Sequence, residues 1–421
     1  MIHALRYGDH TVHVELPDDQ VDLIVAESIP DRDEAAIILE ALDSAKQGLQ
    51  DFLDGSDSVL VVVSDHTRNT GSRVYMPILL DQLRKPGRRI TILIALGLHR
   101  PSTGSEITNI LGCEPGEDVT VLNHDADSNL AQCGEGLFCS HAVGAKKIIL
   151  TGSVAFHPMA GYSGGRKSLL PGIASRASII GNHRLYFSGG VMDPGVGPAQ
   201  LRNNPIHSDI LRRTAGFDGR IWSLNVVQNE LKSIVFAAAG HVDEAWAACT
   251  EFLSRINSPK IPHAYPVVLA TAGGYPSDFS FYQSMKTLTN ASRACLKGGT
   301  IFLLMECRNG WEMDPEVLAW GQLDLGEIAL RIQNNFSMSA LAMYMALSVI
   351  RDYRVFCLSS LREREVVGLG MRYLAAASDI GNLVRDERER SGTDRIAVIP
   401  AAAAILPVIG QKIFKGDKYA P

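Results

Sequence analysis

Apolar, β-branched runs recur along the chain, each followed by a cluster of polar residues. Residues 59–64 (VLVVVS), 90–96 (ITILIAL) and 147–154 (KIILTGSV) are the clearest. Runs this uniformly apolar suit strands covered on both faces, and residues 74–83, between the first two, carry helical spacing. The opening HALRYGDHTVHVEL alternates around Gly8-Asp9 and predicts a small hairpin. Residues 258–266 (SPKIPHAYP) hold three prolines and interrupt every helical pattern. Beyond them the pattern predicts strands at 267–271, 300–305, 355–358 and 395–399, and helices at about 282–296 and 339–350. The expected fold class is α/β: two α/β domains, 1–262 and 263–421, with mainly parallel sheets.

Composition narrows the function. With 421 residues the chain is too long for one ordinary core. A formal charge of −6 argues against nucleic acid as the main partner. The seven cysteines are scattered with no CxxC pair, which fits idle thiols in a reducing compartment better than disulfides or a zinc cage. No signal-peptide pattern opens the sequence, and the longest apolar segment, 340–350, is too short to span a bilayer. These features predict a cytoplasmic protein without a membrane partner. They leave its oligomeric state open.

Three polar clusters follow the three apolar runs: Asp65-His66-Thr67-Arg68, then Gly97-Leu98-His99-Arg100-Pro101, then His157 and Gly161-Tyr162-Ser163-Gly164-Gly165-Arg166-Lys167-Ser168. In open α/β sheets ligands bind beyond the carboxyl ends of the strands, so three clusters at one edge predict an active site. Asp65 to Arg68 fits either a helix cap with a surface arginine or an anion site, and its neighbours favour the second. His99 suits a general acid or base. The glycine-rich stretch is not a Walker A loop, because Arg166 separates the last glycine from Lys167, which disfavours a nucleotide phosphotransferase. His183 is a candidate metal ligand, yet no second His or Cys stands at chelate spacing from it. Gln283 and Lys286 share a helix face. His124 and His207 read as loop and cap residues, and the Glu306-Cys307-Arg308 cluster takes no role.

Together these segments resemble the nickel-pincer-nucleotide-dependent lactate racemase family, the LarA-like proteins. The resemblance spans nearly the whole chain. It rests on DHTR at 65–68, GLHRP at 97–101, His157 through GYSGGRKSLLPGIAS to His183, GGYP at 273–276 and YQSMK at 282–286. It implies a racemase or 2-epimerase of a small 2-hydroxy acid, working by proton-coupled hydride transfer through a 2-keto acid, with its site in an interdomain cleft. The implied cofactor is the nickel-pincer nucleotide (nickel pyridinium-3,5-bisthiocarboxylic acid mononucleotide), which makes cofactor-biosynthesis proteins partners. Lys167 would tether it and His183 would ligate Ni, with Asp65, His66, Thr67 and Arg68 also holding cofactor. Arg68, Gln283 and Lys286 would bind substrate, and His99 and His157 would be the paired acid/base residues.

The sequence departs from the family on the substrate side. Asn69-Thr70-Gly71 follows DHTR, Ser277-Asp278-Phe279-Ser280-Phe281 follows GGYP, Gly310-Trp311-Glu312 replaces a glycine-rich stretch, and Phe336 stands where the lactate enzyme has a pocket tryptophan. A substrate other than lactate is therefore expected. A sugar-acid (aldonate) 2-epimerase and a non-catalytic cofactor-binding homologue are the alternatives.

Overall fold

The computed structural model describes residues 2–410. They form two compact units: 29–188 with 192–254, and the described parts of 1–28, 189–191 and 255–421. The expected single boundary at 262/263 thus gives way to a chain that starts in one unit, leaves it and returns. The reason is packing. Leu5, Val14 and Leu16, from the hairpin Ile2–Tyr7 and His10–Glu15 and the residue after it, share a core with Val267, Phe302 and Val398. Strand Val21–Leu23 then pairs in parallel with Ile396–Ile399. The hairpin's alternating apolar face has its burial there, far away in sequence.

The unit built on residues 29–254 holds a six-stranded sheet. Its order is Ile234–His241, Ile221–Gln228, Ile148–Ser153, Ser58–Ser64, Arg89–Ala95, Val119–Asn123. All neighbours are parallel except the outer pair, Ile221–Gln228 with Ile234–His241. Val59 to Val63 are buried throughout, as their unbroken apolar run requires, and helix Ser72–Leu83 covers one face with Tyr75, Met76 and Leu79. From Ser58–Ser64 the chain winds outward to Val119–Asn123, then crosses back to Ile148–Ser153 on the other side of its starting strand. The winding therefore reverses between Ser58–Ser64 and Ile148–Ser153, where loops diverge and leave room for a ligand.

The second unit has a parallel sheet in the order Arg372–Leu374, Arg354–Leu358, Cys295–Leu304, Tyr265–Thr271, Ile396–Ile399, Val21–Leu23. Helix Phe281–Ala291 is shorter than the predicted 282–296, because the next strand already starts at Cys295. Tyr265 pairs with Cys295 but Val267 with Thr300, so a bulge around Gly298-Gly299 takes up the extra residues. Among the described residues no helix is long and apolar enough to cross a membrane.

Ile92 is fully buried in the sheet that carries the polar clusters. Ile92→Ala should cost about 2–5 kcal/mol in urea-induced unfolding, the usual loss for emptying a packed core position.

Candidate active site

The three polar clusters lie at the carboxyl ends of adjacent parallel strands, Asp65 directly after Ser58–Ser64. Asp65 is 2% exposed, and both its carboxylate oxygens are engaged. Oδ1 accepts from the Thr67 amide at 3.1 Å and the Thr67 hydroxyl at 2.7 Å. Oδ2 meets His99 Nδ1 at 2.5 Å. Burial pushes the Asp65 pKa up. The hydrogen bonds from His99 and Thr67, with the nearby charges of His99 and Arg68, outweigh that and hold it below the ordinary carboxylate range. An ionised carboxylate only accepts, so Nδ1 of His99 carries a hydrogen. The lone pair of the neutral ring then sits on Nε2, on a side chain 45% exposed. Asp65 is thus placed to orient His99. His66 sits against Ser102 at 3.0 Å, and Arg68 is exposed.

A backbone bond from Gly97 N to Gly172 O, 2.9 Å, ties the His99 loop to the loop that follows Lys167. Lys167 lies in a short 3₁₀ turn, Gly165–Ser168, fixed on both sides. Arg166 donates to both carboxylate oxygens of Asp243 at 2.8 Å and pairs with Asp218 at 2.8 Å. Ser168 donates to Thr151 O at 3.1 Å, on the central strand Ile148–Ser153. The glycines of this loop serve close packing rather than a phosphate cradle. Gly165, at φ +55°, gives its N–H to Asn225 at 2.9 Å, and a Cβ there would lie 2.7 Å from the Trp246 ring.

Lys167 as a whole residue is half-buried. Burial, and then the charge of Arg68, bring its pKa down to about 7. His183, on helix Arg176–Arg184, is buried. Burial, then the charge of Lys167, lower its pKa to about 4, against a small opposing effect of its bond to Ile179. That bond, Nδ1 to the Ile179 carbonyl at 2.7 Å, requires a hydrogen on Nδ1, so the His183 lone pair is on Nε2. The pair therefore offers an amine that is readily neutral and an imidazole nitrogen suited to a metal. Among the described residues no three His, Cys, Asp or Glu side chains cluster as a metal site.

His157 ends the two-residue strand Phe156–His157, and its Nδ1 accepts from the amides of Met159 at 3.2 Å and Ala160 at 3.1 Å. His207 was expected to be a cap residue, and its amide does bond the Asn204 cap at 3.1 Å. Its ring, however, stacks on Trp246 at 5.5 Å, and the two line a recess with Lys167, Ala160, Tyr162 and Gly164. The only sequence signal was the Asn204-Pro205 helix start, which reads as structure. His124 is structural as expected, buried against Ala174 O at 3.0 Å.

In the other unit, Gln283 and Lys286 occupy the half-buried face of helix Phe281–Ala291, opposite Phe281, Ser284, Met285 and Leu288. Two of the four aromatic departures are buried against each other. Phe281 is fully buried, and Trp311 packs on it at 4.5 Å while bonding Glu365 at 3.1 Å. Phe279 and Phe336 are half-buried and keep some access.

An amine is nucleophilic only when unprotonated, so reactivity rises as pH passes the pKa. Labelling of Lys167 by a small amine-directed electrophile, read by peptide mass spectrometry, should climb through a midpoint of about 7 in the folded protein. In denaturant the midpoint should move towards the ordinary lysine value of 10.5.

Known proteins resemble the chain over most of its length. The lactate racemase N-terminal domain matches residues 7–191 and the lactate racemase C-terminal domain residues 262–406. A lactate racemase of Thermoanaerobacterium thermosaccharolyticum is 34% identical over 322 residues, covering 73% of this chain and 74% of that protein. A lactate racemase of Lactiplantibacillus plantarum is 35% identical over 275 residues, covering 62% and 63%. The lactate racemase apoprotein structure from T. thermosaccharolyticum superposes with a TM-score of 0.86 at 29% identity, over 97% of this chain and all of that one. A Thermotoga maritima protein at 17% identity and a TM-score of 0.63 shares the fold. The chain belongs to the lactate racemase family and is an isomerase of the racemase class acting on a small molecule.

Proposed function

We propose that the chain inverts the C2 centre of a 2-hydroxy acid, with a nickel-pincer nucleotide tethered at Lys167 and its nickel bound by Nε2 of His183. The observation that carries this reading is the Lys167–His183 pair: an amine with a pKa of about 7 beside an imidazole neutral at that pH, its Nδ1 committed to Ile179. A covalent tether needs an unprotonated amine, and a metal bond needs an imidazole lone pair. Among the described residues no three His, Cys, Asp or Glu side chains gather as a metal site, so most of the metal's donors would come from the nucleotide itself. When bound, the group supplies an acceptor for the C2 hydrogen and its electron pair.

The chain's own residues supply the rest. His99 Nε2, set by the Asp65 carboxylate, takes the hydroxyl proton as the C2 carbon is oxidised to a keto acid, and gives it back on reduction. Arg68 is a forked donor for the substrate carboxylate, close enough to Lys167 to depress its pKa. His66 and Thr67 flank it on the same turn and border the cofactor, Thr67 also bonding Asp65. Gln283 and Lys286 serve the substrate as well, a role supported by the family resemblance and their shared helix face. A substituent larger than the methyl of lactate is the proposed substrate feature, with Phe279 and Phe336 as the residues to meet it.

A panel of 2-hydroxy acids, including aldonates, incubated with cofactor-loaded protein and resolved by chiral chromatography, identifies the substrate. Lys167→Ala should abolish inversion, and racemisation retained in that variant would overturn the proposal. Asp65→Asn, which presents the wrong tautomer of His99, should lower kcat by ~10²–10⁴-fold.

A further inference from the structure

The proposed chemistry leaves two features unused: the Gly8-Asp9 turn and the Glu306-Cys307-Arg308 cluster. They meet at Asp278, within the second unit. Asp278 is fully buried. Its Oδ2 accepts from the Gly8 amide at 2.6 Å and from the Glu306 amide at 3.3 Å. Its Oδ1 has no hydrogen-bond partner among the described residues. Burial raises the Asp278 pKa, and the two amides oppose that only in part. A buried carboxyl with one oxygen unpaired carries a desolvation cost, and what it secures is the position of those two amides.

Each amide belongs to a segment fastened at further points. On the hairpin side, Tyr275 N donates to Gly8 O at 2.9 Å, and Asp9 pairs with Arg308 at 2.6 Å. Gly8 has φ +56°, and a Cβ there would clash with the Glu306 carboxylate, so only glycine lets the turn lie this close. On the other side, Cys307 N donates to the Asp278 carbonyl at 2.8 Å. Cys307 has φ +54°, a left-handed conformation that a side chain disfavours and that its neighbours must impose.

The loop after Cys307 caps the helix Phe281–Ala291. Gly310 O accepts from Phe281 N at 3.0 Å, and Trp311 O from Tyr282 N at 3.2 Å. First-turn amides have no partner inside their own helix, so these two depend on that loop. Asn309 N adds a bond to Phe279 O at 2.9 Å. Gln283 and Lys286 stand on this helix, and Phe279 comes just before its Ser280 cap.

We infer that Asp278 is a positioning residue for the substrate side of the reaction, acting through the Gly8 turn and the 306–311 loop on Phe279, Gln283 and Lys286. The inference rests on the function proposed above. It gives the N-terminal hairpin a part in substrate binding from 270 residues away in sequence.

Hydrogen–deuterium exchange on the cofactor-free protein reads the structural half. Asp278→Ala should speed exchange at the Phe281 and Tyr282 amides by ~10-fold or more, whereas Asp278→Asn, which keeps an accepting oxygen, should stay near the unaltered protein. Gly8→Ala displaces the turn while leaving Asp278 in place, and should reproduce the effect of Asp278→Ala. In the cofactor-loaded enzyme, Asp278→Ala and Gly8→Ala should raise KM for the 2-hydroxy acid by about tenfold or more, with a smaller change in kcat. Asp278→Asn should return KM towards the unaltered value. Unchanged exchange or unchanged KM in folded Asp278→Ala, or Asp278→Asn as impaired as Asp278→Ala, overturns the inference. Should Asp278→Ala fail to fold, Gly8→Ala decides by the same two readouts. Failure of the underlying functional reading shows separately, as no turnover of any 2-hydroxy acid by the unaltered holoprotein.

Discussion

An ammonium group stripped of water without a counter-charge becomes a much stronger acid, and the site depends on that constraint at Lys167. Its amine lies among protein atoms with Arg68 near it, and both effects favour losing the proton. Much of the local architecture keeps that environment in place. Arg166, next in sequence, is drawn off by Asp243 and Asp218. Gly165 lets Trp246 close over the turn, and Asn225 occupies the amide that a phosphate would otherwise take. The cationic neighbour nearest in sequence is neutralised, while a distant one is left to act on the amine.

The histidines obey a related rule: each ring's chemistry is decided by what its other nitrogen touches. A backbone carbonyl against Nδ1 of His183 leaves a lone pair at Nε2, suited to a metal. A carboxylate against Nδ1 of His99 fixes the hydrogen there and leaves the neutral ring's lone pair on Nε2. Two amides against Nδ1 of His157 reverse the arrangement and make Nε2 a donor. One residue type is thus held with its ring hydrogen on different nitrogens, the difference being written into the surrounding backbone and one aspartate.

Much of this was legible in the sequence because it is local. The apolar runs at 59–64, 90–96 and 147–154 became parallel strands, and the polar residues after them fell at one sheet edge because strand direction places them there. What escaped was set by distant partners. Nothing near residue 65 says that its carboxylate will meet residue 99. His207 read as a cap because its ring's partner, Trp246, is far along the chain. The bulky Phe281 and Trp311 suggested a reshaped substrate pocket, but they pack on each other. The first 28 residues looked like the start of one domain, and their apolar face is buried in the other unit.

In the proposed holoprotein Lys167 and His183 would together hold a covalently attached nickel cofactor. Intact-mass spectrometry with nickel analysis, on protein produced together with the cofactor's biosynthetic proteins, tests it most directly. The expected result is a mass increase localised to Lys167 with about one nickel per chain, and nickel lost without unfolding in His183→Ala. An unmodified mass with no nickel, under conditions that load a lactate racemase prepared alongside it, would contradict it.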